Sequence, residues 1–332
     1  MAKLEQGVVA KSEPGTMSIE GEEKPIPESG FVQLDGIWRF DGTKATYVSP
    51  VNINTPTVQW QGEQGVCLTG RCCRSGHISV CATVNNVTAA ARLVIGYDPA
   101  AGSYYSVGIN GWNLAYVLVQ HTRASARLIR SEGGLSSILT TGEKLIKVDV
   151  RGQSVTLNVD GVDIFEHILP SPIAEGQVGL YVWGKDENMV TFDNLIIRVP
   201  KPRAFVVMKF GGQYDDLYRE VIRPVAEKDF TVVRADDISR PGVILQDIIK
   251  EIVESDVVIA NISPTDENEN VFYEVGYSHA MRKPTILLAD KSRKLPFDVS
   301  AFRVVFYTDT IQGKSELENE LKRHLESIKQ GE

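Results

Sequence analysis

Two hydrophobic patterns divide the chain. From Phe31 to Pro200, apolar and polar residues alternate in short runs: IWRF, HISVCATV, ARLVIGYD, YYSVGIN, LAYVLVQ, LIKVDV, SVTLNV, VGLYVW and VTFDNLIIRV. Glycine, asparagine and aspartate punctuate them, and the runs recur roughly every ten residues, the spacing of a β-sandwich. A period of two gives each strand one buried and one wet face. Asp160-Gly161, between SVTLNV and VDIFEHI, predicts a hairpin.

After Pro200 the period changes. AFVVMKF is an unbroken apolar run, as a strand buried on both faces requires, and in YDDLYREVIRPVAEK the residues Leu217, Val221, Ile222 and Val225 fall at helical spacing. FTVVRADD, GVILQDIIKEIVES, VVIANI, VFYEVGYSHAMRK, PTILLAD, RVVFYTD and SELENELKRHLESIKQ continue the alternation of strand and helix. Such alternation forces right-handed crossovers and a parallel sheet with helices on both faces. Pro200 and Pro202 in VPKPRAF mark the boundary, and so short a linker predicts coupled domains. The predicted organisation is a flexible polar tail over residues 1–30, an all-β sandwich over 31–200 and an α/β domain over 201–332.

Composition narrows the partners. A chain of 332 residues with net charge −8 and no basic cluster excludes a nucleic-acid surface, which needs a concentrated positive face. No apolar run reaches membrane-spanning length and the polar start lacks a signal-peptide core, so no membrane partner and a cytoplasmic location are expected. Cys67, Cys72, Cys73 and Cys81 crowd together with His77, a set of zinc-type donors, but without a CxxC pair. Reduced structural thiols, with no metal, are the expectation.

In an open parallel sheet, ligands bind beyond the carboxyl ends of the strands. Four segments should meet there. Phe210-Gly211-Gly212 follows the first strand, where glycines let backbone amides approach a phosphate. Asp236 and Asp237 follow the second, as acceptors for ribose hydroxyls or as solvated loop acids, and Arg240 beyond them is a phosphate donor or a solvent-facing helix start. Asn261 ends the third, an amide that orients a hydroxyl or a leaving base but shuttles protons poorly. Glu274 lies near the first turn of the next helix if Asn270 caps it, with Tyr273 and Tyr277 as wall residues for a base. A carboxylate there is either an ordinary solvated glutamate or a partly desolvated one that acts on an electrophilic carbon. His279 turns away from that face, and Asp256 lies at the opposite edge. Neither GxGxxG nor GKS/GKT occurs, which excludes a dinucleotide-binding Rossmann loop and a P-loop ATPase.

NVFYEVGYSHAMRKPTILLAD, with AFVVMKF and FTVVRADDISRPGVILQDIIKEIVESDVVIANIS before it, resembles the superfamily that joins nucleoside 2-deoxyribosyltransferases to TIR-type nucleotide hydrolases. The resemblance implies a flavodoxin-like fold, no cofactor, and cleavage of N-glycosidic bonds in nucleosides, nucleotides or NAD+. The family's catalytic helix pattern falls on Glu274, Val275, Gly276 and Ala280. Asn261 stands where related transferases often carry aspartate. It further implies a homo-oligomer and a bacterial anti-phage effector; the rival is a non-catalytic receptor for a nucleotide signal.

KLIKVDVRGQSVTLNVDGVDIFEHI, GQVGLYVW and VTFDNLIIRV resemble a concanavalin-like, laminin-G type jelly roll, a fold that often binds carbohydrate. A carbohydrate or protein ligand is therefore expected, with Trp112, Tyr104 or Tyr105 as stacking surfaces or core residues. No ExDxE strand supports glycoside hydrolysis, and Asp193 reads as a turn or strand-end acid.

Overall fold

The structure is a computed structural model, described for residues 24–49, 64–134, 141–184, 190–237, 244–262, 269–292, 295 and 302–330. Residues up to 198 form two antiparallel sheets of seven strands each. One runs, edge to edge, Val32–Asp35, Gln64–Cys73, Gly176–Trp183, Ala90–Asp98, Ser103–Gly111, Leu114–His121 and Ala126–Gly134. The other runs Val162–Ile168, Ser154–Val159, Gly142–Arg151, Gly76–Val84, Val190–Arg198, Lys44–Ser49 and Ile37–Asp41. Hairpin runs such as Ala90–Gly134 stay within one sheet, and the chain crosses between the sheets several times, as from Gln64–Cys73 to Gly76–Val84 and on to Ala90–Asp98, as in a jelly roll. All nine alternating runs are strands.

The strand Gly76–Val84 shows the period in its burial, with every second residue enclosed. Ile78, Val80, Ala82 and Val84 face Leu93, Ile95, Val107 and Ile109 of the opposite sheet in one core. That core extends further toward the N-terminus than its alternating runs do. Ile26 is 5 % exposed and its amide donates to the Leu195 carbonyl at 2.8 Å. Residues 24–30 therefore do not behave as the flexible tail expected of them: one isoleucine in a polar stretch finds a place in the core. The rest of that expectation, residues 1–23, lies outside the described residues.

The C-terminal domain is a five-stranded parallel sheet in the order Thr231–Arg234, Arg203–Val207, Val257–Asn261, Thr285–Asp290 and Val304–Tyr307. Numbered by sequence this is 2-1-3-4-5, the flavodoxin-like winding, whose switch point falls between the strands ending at Val207 and Asn261. One face packs on the helical segment Gln213–Ala226 and the helix Ile311–Gln330 through Val206, Ile259, Val221, Ile222 and Leu321. The other packs on Ile244–Glu254 and Glu269–Ala280 through Phe205, Val258, Ile252, Val271 and Val275. Both faces are covered, which is why the strand Val257–Asn261 is buried at every position.

The domains touch at the amino edge of this sheet. Gln153 donates its amide to the Val253 carbonyl at 3.1 Å, Ser75 Oγ donates to Asp256 Oδ1 at 3.2 Å, and Arg151 lies 3.8 Å from Glu254. Asp256 also takes the Arg203 amide at 2.8 Å, so it serves the joint and the strand start, at the edge the sequence places it.

Candidate functional site

At the mouth of the parallel sheet the first βα turn carries Gly211 and Gly212 at φ +93° and +53°. Side chains with a Cβ avoid that region, and nothing stands within 4 Å of where either Cβ would be. The turn is thus open on its outer side. Phe210 is exposed beside it, its ring 5.2 Å from the Arg234 guanidinium.

Arg234 organises this corner, a role the sequence did not disclose. Its side chain is buried and binds Asp215 at 2.8 Å and Asp236 through Nε at 2.6 Å and through Nη2, while lying over the Tyr218 ring at 4.3 Å. Asp237 accepts from the Arg234 amide at 3.1 Å and the Tyr218 hydroxyl at 3.3 Å. Asp236 and Asp237, expected to be open to ribose hydroxyls, are therefore engaged within the protein. The reason is local: a buried guanidinium demands carboxylates, and the nearest ones answer. The Asp215 carboxyl is held below its usual range by that hydrogen bond. Tyr218 opens a π-helical turn, Tyr218–Ile222, just before Pro224, which lacks an amide hydrogen to donate. Arg240 lies outside the described residues.

Asn261 is 2 % exposed at the end of the third strand, its Nδ2 3.3 Å from the Tyr307 hydroxyl across the sheet. Tyr307 also walls a cavity of about 200 Å³ with Tyr214, Asp216, Asp290 and Thr308, at the same edge. Pairing of Asn261 with Tyr307 had no sequence signal, because it depends on the fifth strand's place.

The helix that carries Glu274 runs Glu269–Ala280. Asn270 is its second residue rather than the expected cap, so Glu274 stands in the second turn, where the helix dipole helps an anion little. Glu274 is 9 % exposed, between the core residues Val271 and Val275, and has no hydrogen-bond or ion-pair partner among the described residues. Burial pushes its carboxyl up to about 7. Tyr277 packs partly buried on the same core, whereas Tyr273 is 54 % exposed. His279 stacks on Phe302 at 4.3 Å, away from Glu274 as its spacing predicts.

Residues 214–324 match the family model of nucleoside 2-deoxyribosyltransferase. The C-terminal domain is thus nucleoside 2-deoxyribosyltransferase-like, and the match includes Asp236, Asn261 and Glu274. No curated protein matches the chain. Solved structures similar to it include a carbohydrate binding module from Bacillus subtilis, at 15 % identity and TM-score 0.40 over 51 % of this chain and 95 % of that one. A Bacillus licheniformis β-glucanase aligns at 12 % identity and TM-score 0.36, over 55 % of this chain and 100 % of that one. A Bacillus subtilis protein of unknown function with a galectin-like fold aligns at 11 % and 0.39, over 53 % and 94 %.

The sandwich that accompanies the deoxyribosyltransferase-like domain has a cleft of its own, of about 1020 Å³. Trp112 and Tyr104 line it; Tyr105, the third aromatic candidate, packs instead on the inner core. Asp193, expected as a turn or strand-end acid, lies instead inside the strand Val190–Arg198 at a bulge, where it accepts from Thr43 Oγ1 at 2.6 Å and from the Asn194 amide at 2.8 Å. In the cysteine cluster, Cys67 and Cys73 are buried, burial pushes their thiols up to about 12 and about 11, and His77 is bound to Asp149. Such thiols are poor nucleophiles and poor metal ligands. No group of three metal donors occurs among the described residues. No helix there is long and apolar enough to cross a membrane.

Proposed function

We propose that the C-terminal domain cleaves the N-glycosidic bond of a nucleotide, with NAD+ as the first candidate and Glu274 as the residue that meets C1 of the ribose. One observation carries this: Glu274 is buried on the helix that follows the third strand, with no cation among the described residues to claim it. A carboxylate kept only for stability would be paired or exposed. When the base departs with the bonding electrons, C1 becomes electron-poor, and an ionised carboxylate in a poorly solvated site stabilises that charge or bonds to it. Water then adds its hydroxyl to C1 and its proton goes to the leaving base or to solvent. Gly211 and Gly212 offer a place for phosphate, and Asn261 with Tyr307 a place for a ribose hydroxyl. Asp236 and Asp237 act through Arg234, which they hold.

The test is incubation of the full chain with NAD+, nucleoside monophosphates and deoxynucleosides, followed by chromatography for free nicotinamide or base. Glu274→Gln keeps the shape, loses the charge and is expected to lower turnover at least about 100-fold. Full activity in that variant overturns the assignment. Because the sandwich is joined to this domain by direct contacts, we read it as a sensor and the pair as a regulated effector of the anti-phage kind, active on assembly. Asn261 favours one rival, a receptor that binds a nucleotide without cutting it, since an amide shuttles protons poorly. Tight binding with no released base would establish that reading instead.

A further inference from the structure

The sheet that contains Ala90–Asp98 is enclosed on both faces, and only one of them meets the other sheet. Ala91, Leu93 and Ile95 point into the sandwich, while Ala90 and Val94 belong to a separate cluster with Val66, Leu68, Tyr104 and Tyr181. This second cluster floors the 1020 Å³ cleft. Arg92 alternates onto the same side, 3 % exposed, in the middle of that floor.

No carboxylate pairs with Arg92 among the described residues. Its Nε donates to the Asn110 carbonyl at 2.9 Å, Nη2 to the same oxygen, and Nη1 to Ser106 Oγ at 3.4 Å. A guanidinium has five N–H donors, so two remain beyond these three bonds. Leaving a buried cation without a counter-charge costs several kcal/mol, a cost that a bound anion removes. Arg123 also lines the cleft, bonded to the Ala100 carbonyl and not to an acid. The one acid in the lining, Asp35, already takes Gln64 Nε2 at 2.7 Å and the Gly36 amide at 3.0 Å. In a chain of net charge −8, two arginines against one aspartate make this a locally positive hollow.

The rim is built at some expense. Asn110, Trp112 and Asn113 all have positive φ, +63°, +48° and +61°. A tryptophan is rare in the left-handed region, and strain of this sort, about 1–3 kcal/mol per residue, persists where the geometry is used. Here it holds Trp112, 55 % exposed, at the mouth with its ring 5.6 Å from the Arg92 guanidinium. Gly111 lets the two approach: a Cβ there would stand 2.0 Å from Arg92 Nη2.

We infer that this cleft binds a small ligand that joins a ring to an oxyanion, the ring lying on Trp112 and the oxyanion taking the spare donors of Arg92. Two sources share that chemistry, an acidic sugar and a nucleotide phosphate. Calorimetry on the full chain uses three probes: a glucuronate-bearing trisaccharide, the matching neutral glucose trisaccharide, and adenosine monophosphate. One acidic probe is expected to bind at least tenfold more tightly than the neutral sugar, and which one it is identifies the source. Trp112→Gly removes the ring at a φ that glycine adopts freely, so the fold is kept, and binding is expected to weaken at least tenfold. Arg92→Gln is expected to do the same. Nucleotide binding that survives Trp112→Gly is assigned to the C-terminal domain and overturns the nucleotide source for this cleft. Equal binding of the neutral sugar, acidic binding unchanged by Trp112→Gly, or no acidic binding at millimolar probe overturns it.

Discussion

In each domain a charge is buried for which the described residues offer no counter-charge, and the two solve the problem differently. Arg92 sits in the sandwich among neutral acceptors, the Asn110 carbonyl and Ser106 hydroxyl, and burial lowers its pKa without an acid to oppose it. A guanidinium cannot shed its proton in a protein, so Arg92 stays charged and the surroundings must solvate it. Among the described residues Glu274 finds no comparable acceptors or donors, and it responds through its own proton, with a carboxyl pushed up to about 7. A permanent charge suits recognition of a permanent partner; a charge that comes and goes near neutral pH suits a reaction. By contrast Arg234, equally buried, is ringed by Asp215 and Asp236 and serves the architecture.

The sharpest break of this comparison is a pH profile. If ionised Glu274 is the working form, its population rises from about 1 % at pH 5 to about 90 % at pH 8, given a midpoint near 7. Turnover of nucleotide is expected to climb close to 100-fold along that limb, with the change centred near pH 7. A flat profile across it removes Glu274 from the chemistry. Stability should move the other way. In the folded chain the carboxyl is pushed up to about 7, against the ordinary 4.5, so folding favours the protonated form. The penalty is absent below pH 4.5, grows between 4.5 and 7 and is full above 7. Glu274→Gln is therefore expected to stabilise the fold by about 1–3 kcal/mol at pH 8 and hardly at all at pH 4.5, measured by denaturant unfolding. Equal effects at both values would mean that the side chain is better solvated than its burial indicates.

The two domains differ also in how much of them could be read in the chain. Period-two runs and unbroken apolar runs were each followed faithfully by strands, because burial on one face or two leaves its mark on every residue. The helix that carries Glu274 was legible because it has a sequence pattern. Arg234 and Arg92 were not: Asp236 lies two residues from Arg234, but Asp215 and the Tyr218 ring come from the helical segment after the first strand, and the Arg92 acceptors come from the neighbouring strand, so local spacing encodes little of either. Asp236 and Asp237 look alike in the chain whether they face a ligand or the protein, and here Asp236 meets the buried guanidinium while Asp237 takes the Arg234 amide and the Tyr218 hydroxyl. Trp112-Asn113, the turn between Ser103–Gly111 and Leu114–His121, lacks the Asn-Gly or Asp-Gly from which type I′ turns are read, while the Asn-Gly dipeptide Asn110-Gly111 stands just before it, inside the strand.

Whether the two charged sites act together depends on the joint. The helix with Glu274 ends near Lys283, which is buried and donates to the Val253 and Ser255 carbonyls at 2.6 and 2.7 Å. Gly152 of the sandwich fits against this point at φ +56°, where a Cβ would stand 2.4 Å from the Val253 oxygen and 2.8 Å from Lys283 Nζ. Gly152→Ala must open the contact. We expect a local loss of about 1–2 kcal/mol, read as roughly tenfold faster hydrogen exchange at the Gln153 amide, which bonds Val253 across the joint. Unchanged exchange would show that the domains meet too loosely for one to govern the other.

The smallest effect isolates the Arg92 charge from its packing. His121 stacks on Tyr104 at 4.4 Å, and its Nε2 lies 2.9 Å from Ser106 Oγ, the hydroxyl that also receives Arg92. With the guanidinium donating into Ser106, that hydroxyl is free to donate to a neutral imidazole. Burial first, and the Arg92 charge second, push His121 down to about 3. Arg92→Met keeps the stem and removes the charge, so only the second cause disappears. The midpoint of His121, followed by NMR, should rise above 3 and still fall short of the ordinary 6.5, because the aromatic enclosure remains. A midpoint that does not move would mean that Arg92 is screened from the cleft floor, and its two spare donors would then face solvent instead of a ligand.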